Sequence, residues 1–347
     1  MKFFILTIML SATVCVACAK KSYSPDKAVT PDTETTSPAF GLLANEEFKR
    51  EIAKEFTVSA NPNLDIDNKY GNIRIIEGTE NKIIFKIEIT GKGRNRQLAQ
   101  EYAEAVNIHF SQDGNRVSAQ TRLESISCNN CGRTIHYTVV APKSVTMKLT
   151  NKYGHIILDD AAKPLNADLK YGNLTARTLE DITLDLKYGN ADIGSCNKAV
   201  IDSKYCKLKI GKAETLKLDS KYDGISIGTV ASFVLDTKYS NVTIDRLDER
   251  FVAVDFDYSK LDISEISTKF SQIKVDARYS TVKLALDSRH SFKAVLYTKY
   301  GDIKTGNLTF NNVSLKKGSA IVGNAGSNAN PSAMVDIDVS YGDIKFR

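Results

Sequence analysis

The sequence predicts an all-β fold, a β-solenoid of stacked coils of about 17–21 residues, with a small β-rich N-terminal cap that carries one short helix. The first observation is a Lys-Tyr-Gly motif, with looser copies, whose tyrosines are spaced 17–21 residues apart between Tyr153 and Tyr300. A fixed short period indicates structural units that stack on one another. We predict that the tyrosines form a structural corner in each coil: Tyr70, Tyr153, Tyr171, Tyr188, Tyr205, Tyr222, Tyr239, Tyr258, Tyr279, Tyr300 and Tyr341.

The second observation is the alternation that precedes each tyrosine. In one coil Leu184 and Leu186 alternate with charged residues, which is typical of a strand with one buried face. The third observation is a shift after the tyrosine, because Leu208 and Ile210 lie three and five positions beyond Tyr205. This shift predicts a bend at the Gly-Asn step, with glycine supplying a positive φ. Each coil is therefore predicted to be strand, corner, strand and turn.

Stacked coils bring equivalent side chains into columns, one inter-strand spacing of ~4.8 Å apart. The lysine that precedes most of these tyrosines is predicted to point to water, and an aspartate column two residues away offsets the repulsion among the lysines. We interpret the tyrosines as structural rather than as a ligand platform. The candidate binding face is the lysine column: Lys187, Lys204, Lys221 and Lys238.

Four segments are predicted along the chain. They are a signal segment at 1–19, a flexible linker at 20–45, the N-terminal β cap with the first coils at 46–145, and the solenoid repeats at 146–347. The linker is predicted from its serine, threonine and proline content and its few large apolar residues.

Within the cap, helix formers over 96–106 predict a short surface helix, and Asp113-Gly114 predicts a hairpin. Residues 46–56 are polar, so a strand is expected only at their end. Glycine and asparagine predict a mobile loop over 317–332, ahead of a final strand pair over 334–346.

The first residues are typical of an export signal, with Lys2 ahead of an apolar stretch, Phe3 to Leu10, that is too short for a membrane span. Two processing routes are open: cleavage after Ala19, or lipidation of Cys18 in a sequence that resembles a bacterial lipobox. Both predict an exported protein in the periplasm or at the outer membrane or cell surface. Contact with the membrane is expected only through the lipid anchor.

The charge balance is mild, because 47 Lys and Arg residues accompany 41 Asp and Glu residues, giving a net charge of +6. The charges are interleaved without the basic patch typical of nucleic-acid binding, so no nucleic-acid partner is predicted. The sequence contains no tryptophan, which excludes a carbohydrate platform built on that residue. No catalytic or metal-binding motif is present in the sequence, and no cofactor is predicted.

The cysteines suggest one local bridge. Cys128 and Cys131 form a Cys-x-x-Cys, for which a disulfide, free thiols and a partial metal site with His136 are alternatives. An exported protein favours the disulfide, and a closed zinc site would need a fourth ligand. Cys196 in a turn and Cys206 at a corner are predicted to lie at opposite ends of one strand, ~30 Å apart. Both are therefore expected to be free thiols.

The segment LDIDNKYGNI at 64–73 and the recurrent Asn/Leu-Lys-Tyr-Gly-Asn copies, in an exported chain, resemble the bacterial putative-adhesin family. That family is a domain of unknown function built of β-strand repeats. The resemblance covers about residues 46–347 and implies a β-solenoid at the cell envelope. It implies no catalytic or metal-binding residues.

Three functional hypotheses follow. The first is a non-enzymatic cell-envelope solenoid, an adhesin-like binding or scaffold protein whose partner is an unidentified protein or glycan of the envelope or surface. The alternative is a regulatory or structural partner of a membrane protein in the envelope. The third is a glycan-cleaving β-helix enzyme that works through its aspartates. An active site should be one local irregularity, whereas these aspartates repeat in successive coils, so we expect no enzymatic activity.

Overall fold

The computed structural model describes residues 46–79 and 81–347, which belong to one compact unit. The predicted signal segment, the linker and Cys18 lie outside the described residues. No helix among the described residues is long and apolar enough to cross a membrane.

A single sheet of 24 strands winds through the described residues, so the predicted all-β solenoid is confirmed. The first half contains β1 Glu46–Thr57, β2 Asn63–Lys69, β3 Ile73–Gly78, β4 Lys82–Gly93, α1 Arg96–Glu104, β5 Val106–Asp113, β6 Arg116–Leu123, β7 Gly132–Pro142, β8 Thr146–Lys152, β9 Ile156–Ala161, β10 Leu165–Lys170, β11 Asn173–Lys187 and β12 Asn190–Lys204. The second half contains β13 Lys207–Lys221, β14 Gly224–Lys238, β15 Asn241–Asp257, β16 Lys260–Ile266, β17 Gln272–Arg278, β18 Thr281–Leu284, β19 Phe292–Lys299, β20 Ile303–Lys304, β21 Phe310–Lys317, β22 Ala320–Ala325, β23 Met334–Ser340 and β24 Ile344–Phe346.

The central coils differ from the predicted plan of two strands joined by a turn. Each of β11 to β14 is one strand of 15 residues that continues through the expected turn, so the chain leaves the strand only at the tyrosine corner. The pairing of β11 with β12 omits Arg177 and Glu180, where the ladder is locally irregular. Cys196 therefore lies within β12 and not in a turn. Hydrogen bonds between coils pair the backbone N–H and C=O groups of this segment, so it does not need a separate turn.

Parallel, in-register pairing between coils aligns the buried faces. Leu184 pairs with Ile201, Ile201 with Leu218, and Leu218 with Leu235, and each of these side chains is at most 2% exposed. Burial of one such aliphatic side chain contributes ~1.5–3 kcal/mol. The alternation seen in the sequence therefore builds a continuous apolar core along the axis.

The N-terminal cap continues directly into the stack. Strand β2 lies between β6 and β8, and β3 lies between β7 and β9, so the coil of Tyr70 is covered by cap strands on one side and by the next coil on the other. The expectation for 46–56 is wrong, because β1 is a strand along its whole length and pairs antiparallel with β4. The predicted helix is present as α1, and Asn95 caps it by accepting a hydrogen bond from Leu98 N at 2.9 Å.

The C-terminal coils are not stacked in chain order. Strand β23 lies between β17 and β19, so Tyr341 lies between Tyr279 and Tyr300 in the stack. The loop predicted over 317–332 is wrong in part, because Ala320–Ala325 forms β22, which makes an antiparallel hairpin with β21 and pairs with the free edge of β19. Residues 326–332 contain no strand. Covering the edge of β19 removes a template for strand-to-strand aggregation, which explains why β22 is ordered as strand.

Candidate functional site

The tyrosine corners form one continuous column on the outside of the solenoid. Neighbouring rings stack with centroids 4.7–5.2 Å apart and planes within 20° of parallel. Ten such steps of one inter-strand spacing give a column of about 50 Å. In spatial order its members are Tyr70, Tyr153, Tyr171, Tyr188, Tyr205, Tyr222, Tyr239, Tyr258, Tyr279, Tyr341 and Tyr300.

Stacking hides the faces of the interior rings. Every member except Tyr300 is 42–49% exposed, and Tyr300, at the C-terminal end of the column, is 68% exposed. An interior ring has a neighbour on each face, so it presents only its edge and its hydroxyl to solvent. The interior of the column therefore cannot bind a ligand by face stacking.

The tyrosine, and not the glycine after it, makes the corner. Every tyrosine of the column has a positive φ, between 50° and 63°, whereas no glycine that follows one of these tyrosines does. The left-handed conformation turns the tyrosine side chain outward and shifts the side-chain alternation beyond it. The expectation that glycine supplies the positive φ is therefore wrong.

Glycine is required at the corner for a different reason. A Cβ built at Gly172 would overlap the carbonyl oxygen of Gly154, and a Cβ at Gly189 would overlap that of Gly172. At these two positions only a residue without a side chain fits the close approach of successive corners.

The predicted lysine face is also a column. Pairing between coils aligns seven lysines in register: Lys69, Lys152, Lys170, Lys187, Lys204, Lys221 and Lys238. Their partners differ, because Lys187 Nζ lies 2.9 Å from Asp185, Lys238 Nζ lies 3.2 Å from Asp257, and Lys204 Nζ lies 5.6 Å from the centre of the Tyr205 ring. Hydrogen bonding to the adjacent carboxylate raises the pKa of Lys187 and of Lys238, so both stay charged.

The aspartate column accompanies the lysines as predicted. Asp168, Asp185, Asp202, Asp219 and Asp236 pair in register along five coils, and the column is interrupted where Asp236 lies opposite Val254 at an irregularity in β15. Burial raises the pKa of Asp236, and the neighbouring Asp219 and Asp255 raise it further. The repeated carboxylates thus form a regular row along these five coils.

The buried side of the corner changes its chemistry along the stack. In the first coils Asn68 and Asn151 are buried and donate to Gly71 O at 3.2 and 2.9 Å. Further along, hydroxyl groups take this position, and Ser220 Oγ lies 2.9 Å from Thr237 Oγ1. The residue after the tyrosine changes in parallel, from glycine to a polar residue such as Ser240, whose Oγ accepts from Asp223 N at 3.1 Å.

Asp223 is the most heavily buried carboxylate of these corners, with 4% exposure. It accepts hydrogen bonds from Ser203 Oγ at 2.7 Å and from Cys206 N at 2.6 Å. Burial nevertheless raises the pKa of the Asp223 carboxyl above its ordinary value of 3.8. The ionised form is therefore disfavoured in the folded protein relative to the unfolded chain.

This burial predicts a pH dependence of stability. Because the pKa of Asp223 is raised on folding, its stability contribution is greatest when it is protonated and is lost as pH rises from 3.8 through the folded-state pKa. We expect Asp223→Asn to match the wild type in acid and to be more stable at neutral pH, since an amide can still accept from Cys206 N. Urea unfolding at a series of pH values measures this, with the exposed Glu214→Gln as control. A wild type that is the more stable at neutral pH would contradict it.

The cysteines lie in two environments. Cys128 and Cys131 form a disulfide. Cys196 and Cys206 are free and buried. Burial raises the pKa of the Cys196 thiol to about 11 and also raises the pKa of Cys206, so neither thiol is activated as a nucleophile.

The residues two positions after the first corner tyrosines form a third column, in which asparagine is usual. Two histidines take the place of asparagine in this column. Asn72 Oδ1 accepts from His155 N at 3.0 Å, while His155 Nδ1 accepts from Asn173 N and His136 Nδ1 from Asn72 N, each at 3.1 Å. His136 is therefore committed to the stack and not to the cysteines. In the part of the chain that the structure describes, no group of three or more His, Cys, Asp or Glu residues could hold a metal ion.

One cluster, formed by Tyr70, Tyr102 and Arg133, was not predicted from the sequence. Arg133 lies with its Cζ 4.8 Å from the centre of the Tyr102 ring, and it lines a cavity that Tyr70 also lines. The available signal was the position of His136, which takes the asparagine place of the corner although no Tyr-Gly precedes it. Aligning the cap strand β7 with the repeats would have put Arg133 beside the first tyrosine.

The solved structures that match this chain share little sequence with it. A putative adhesin from Parabacteroides merdae is 10% identical, with 86% of this chain and 96% of that chain covered and a TM-score of 0.40. A putative adhesin from Bacteroides fragilis is 13% identical, with 86% and 97% covered and a TM-score of 0.30. A putative lipid binding protein from Parabacteroides distasonis is 11% identical, with 65% and 97% covered and a TM-score of 0.29. No curated protein matches the chain.

The family assignment depends on sequence. The model of the Toastrack DUF4097 family matches residues 61–347, which contain every Tyr corner and the whole stack of coils. The chain therefore belongs to the Toastrack DUF4097 family, the bacterial putative-adhesin domain that its repeats resemble.

Proposed function

We propose that the protein is a non-enzymatic binding or scaffold protein of the cell envelope, and that its partner contacts the corner face. The observation that carries this proposal is the in-register alignment of tyrosine and lysine columns over many coils. A repeating surface of this kind suits a long partner with a repeating structure of its own, because the same contact recurs at every coil.

The chemistry of the face favours a polar, anionic partner. The tyrosines offer hydroxyls and ring edges, and the lysines offer ammonium groups at one inter-strand spacing of ~4.8 Å. Lys204 and Lys221 have no carboxylate within 4.0 Å among the described residues, whereas Lys187 and Lys238 do. The attraction between the exposed lysines and an anionic partner is screened by salt, so binding is expected to weaken as salt is raised.

The aspartates support the non-enzymatic part of the proposal. A glycan-cleaving site needs two carboxylates in distinct environments, one protonated and one ionised. Asp168, Asp185 and Asp202 instead occupy equivalent positions in successive coils. We further propose that the protein is exported and held at the envelope by its N-terminal segment, with Cys18 as the lipid attachment point.

The lysine column can be tested by a triple substitution. We expect the protein to bind an acidic polysaccharide on a glycan array, and Lys187, Lys204 and Lys221 changed together to Gln to weaken binding about tenfold or more. A charge-matched control changes the exposed Lys207, Lys209 and Lys212 of β13 to Gln. Equal losses in both triple variants, or no binding of the wild type to any arrayed glycan or envelope fraction, would contradict the proposal.

A further inference from the structure

The N-terminal end of the tyrosine column opens into a cavity of about 510 Å³. This volume lies in the range of ~300–1,000 Å³ that is typical of small-molecule sites. Its lining includes Tyr70 from the first coil, Tyr102 from α1, Ile126 from the loop before the disulfide, and Arg133 from β7. The cavity therefore forms where the cap meets the stack.

Tyr70 is the first ring of the column, and only one of its faces is covered by another ring. That face stacks on Tyr153 with centroids 5.2 Å apart and planes 4° from parallel. The opposite face is directed to the cap side, where the column does not continue, and Tyr70 lines the cavity there. Tyr70 is nevertheless only 42% exposed, as the interior rings are, so it presents its ring edge and hydroxyl to the cavity.

Arg133 supplies a cation without an acidic partner. Its guanidinium stacks over Tyr102 at 4.8 Å, and its Nη1 donates to the carbonyl oxygen of Glu124 at 3.3 Å. Among residues 46–79 and 81–347, no carboxylate lies within 4.0 Å of it. The Glu124 carboxylate also lines the cavity, but its Oε1 accepts from Asn107 Nδ2 at 2.8 Å. The remaining donors of Arg133 are suited to a bidentate contact with a carboxylate.

A second cavity of about 490 Å³ lies next to the first, since Tyr70 and Arg133 line both. His136 and His155 line this second cavity. Because the Nδ1 atom of each histidine accepts a backbone N–H, the neutral ring carries its proton on Nε2. The second cavity thus adds hydrogen-bond donors that suit hydroxyl groups.

We propose that this cap cleft, formed by Tyr70, Tyr102, Arg133, His136 and His155, binds the end of a saccharide that carries a carboxylate. The sugar contacts the exposed edge and hydroxyl of Tyr70, the carboxylate pairs with Arg133, and the imidazole N–H groups donate to sugar hydroxyls. One cation and two neutral donors match a monoanionic sugar better than a highly charged polymer. The cleft deepens the proposed binding function by adding a site for the chain end, apart from the lysine column.

The test is calorimetric titration of the full protein with a tetrasaccharide that ends in glucuronic acid and with its carboxyl-reduced counterpart. We expect the acidic form to bind at least about tenfold more tightly, because the reduced form leaves Arg133 unpaired. Arg133→Gln should abolish this preference, and Arg133→Lys should restore part of it. Arg122→Gln, at an exposed arginine of β6, the preceding strand in the chain, is the control of equal charge.

A second variant guards against a folding defect. His155→Asn keeps the acceptor that Asn173 N needs, since asparagine fills this place in adjacent coils, but it removes the Nε2 donor. It should unfold like the wild type and bind the acidic tetrasaccharide several-fold more weakly. The triple lysine variant should retain tetrasaccharide binding, which separates this site from the lysine column. Equal affinity for the two tetrasaccharides, binding of neither, or full binding by Arg133→Gln would overturn the proposal.

Discussion

Gly172→Ala is expected to destabilise the protein by about 3 kcal/mol, because the new Cβ would overlap the backbone of the adjacent coil. The atom in its path is the carbonyl oxygen of Gly154, which cannot rotate away as a side chain can. Relief requires the two coils to separate locally, and that would break the in-register pairing of β9 with β11. Urea unfolding, followed by circular dichroism, measures the loss as a lower midpoint.

Gly224→Ala is the matched control, since it makes the same substitution in the same stack. A Cβ at Gly224 has no neighbour closer than Lys207 Cγ at 4.0 Å, and the residue has no positive φ. Alanine there should be neutral or stabilising by up to about 1 kcal/mol, because it restricts the unfolded chain. Similar losses at both positions would mean that close backbone approach is not what demands glycine at the corner.

Much of the fold was accessible from the sequence because the repeats carry two independent signals. Alternation in segments such as Leu184 and Leu186 fixes which face is buried, and the tyrosine spacing fixes the length of a coil. Together they predict the columns, since equal coil lengths bring equal positions into register. The same reasoning yields the lysine and aspartate walls.

The corner itself was assigned to the wrong residue for a physical reason. Tyr188 and Gly189 are adjacent, and the shift in side-chain alternation shows only that one of them departs from extended backbone. Intrinsic preference points to glycine, because a positive φ is strained for a residue with a large side chain. The structure reverses this assignment, since interactions between coils decide the conformation. Stacking favours an outward ring, and at Gly189 the close approach of Gly172 O leaves no room for a side chain.

The order of the last coils and the cap cleft depend on contacts that a repeat pattern does not encode. Spacing gives the length of a coil but not its neighbour, so it could not place Tyr341 between Tyr279 and Tyr300. The glycine and asparagine content that suggested a loop over 317–332 does not reveal that β22 finds an unpaired edge on β19. Arg133 lies in a cap strand without the Tyr-Gly motif, so only the pairing of β3 with β7 brings it beside Tyr70.

The second large effect concerns the tyrosine column, where we expect stacking to offset a strained backbone. Tyr188 has a φ of 57°, and its ring lies 5.0 Å from Tyr171 and 5.1 Å from Tyr205. A left-handed residue other than glycine costs ~1–2 kcal/mol, and each aromatic pair returns ~0.5–1.5 kcal/mol. Tyr188→Val loses both pairs and adds a β-branched side chain that fits this conformation poorly, so a loss of about 3 kcal/mol is expected.

Tyr188→Asn separates the two contributions, because asparagine tolerates a positive φ but cannot stack. Its unfolding midpoint should lie between those of the wild type and Tyr188→Val, so that the step from Tyr to Asn reports stacking and the step from Asn to Val reports strain. At Tyr300, which stacks on Tyr341 alone, the same change to Asn removes one pair and should cost about half as much. If the Val and Asn variants at Tyr188 unfold alike, the backbone at the corner is not strained. The φ that all the corner tyrosines share must then come from the ring contacts alone.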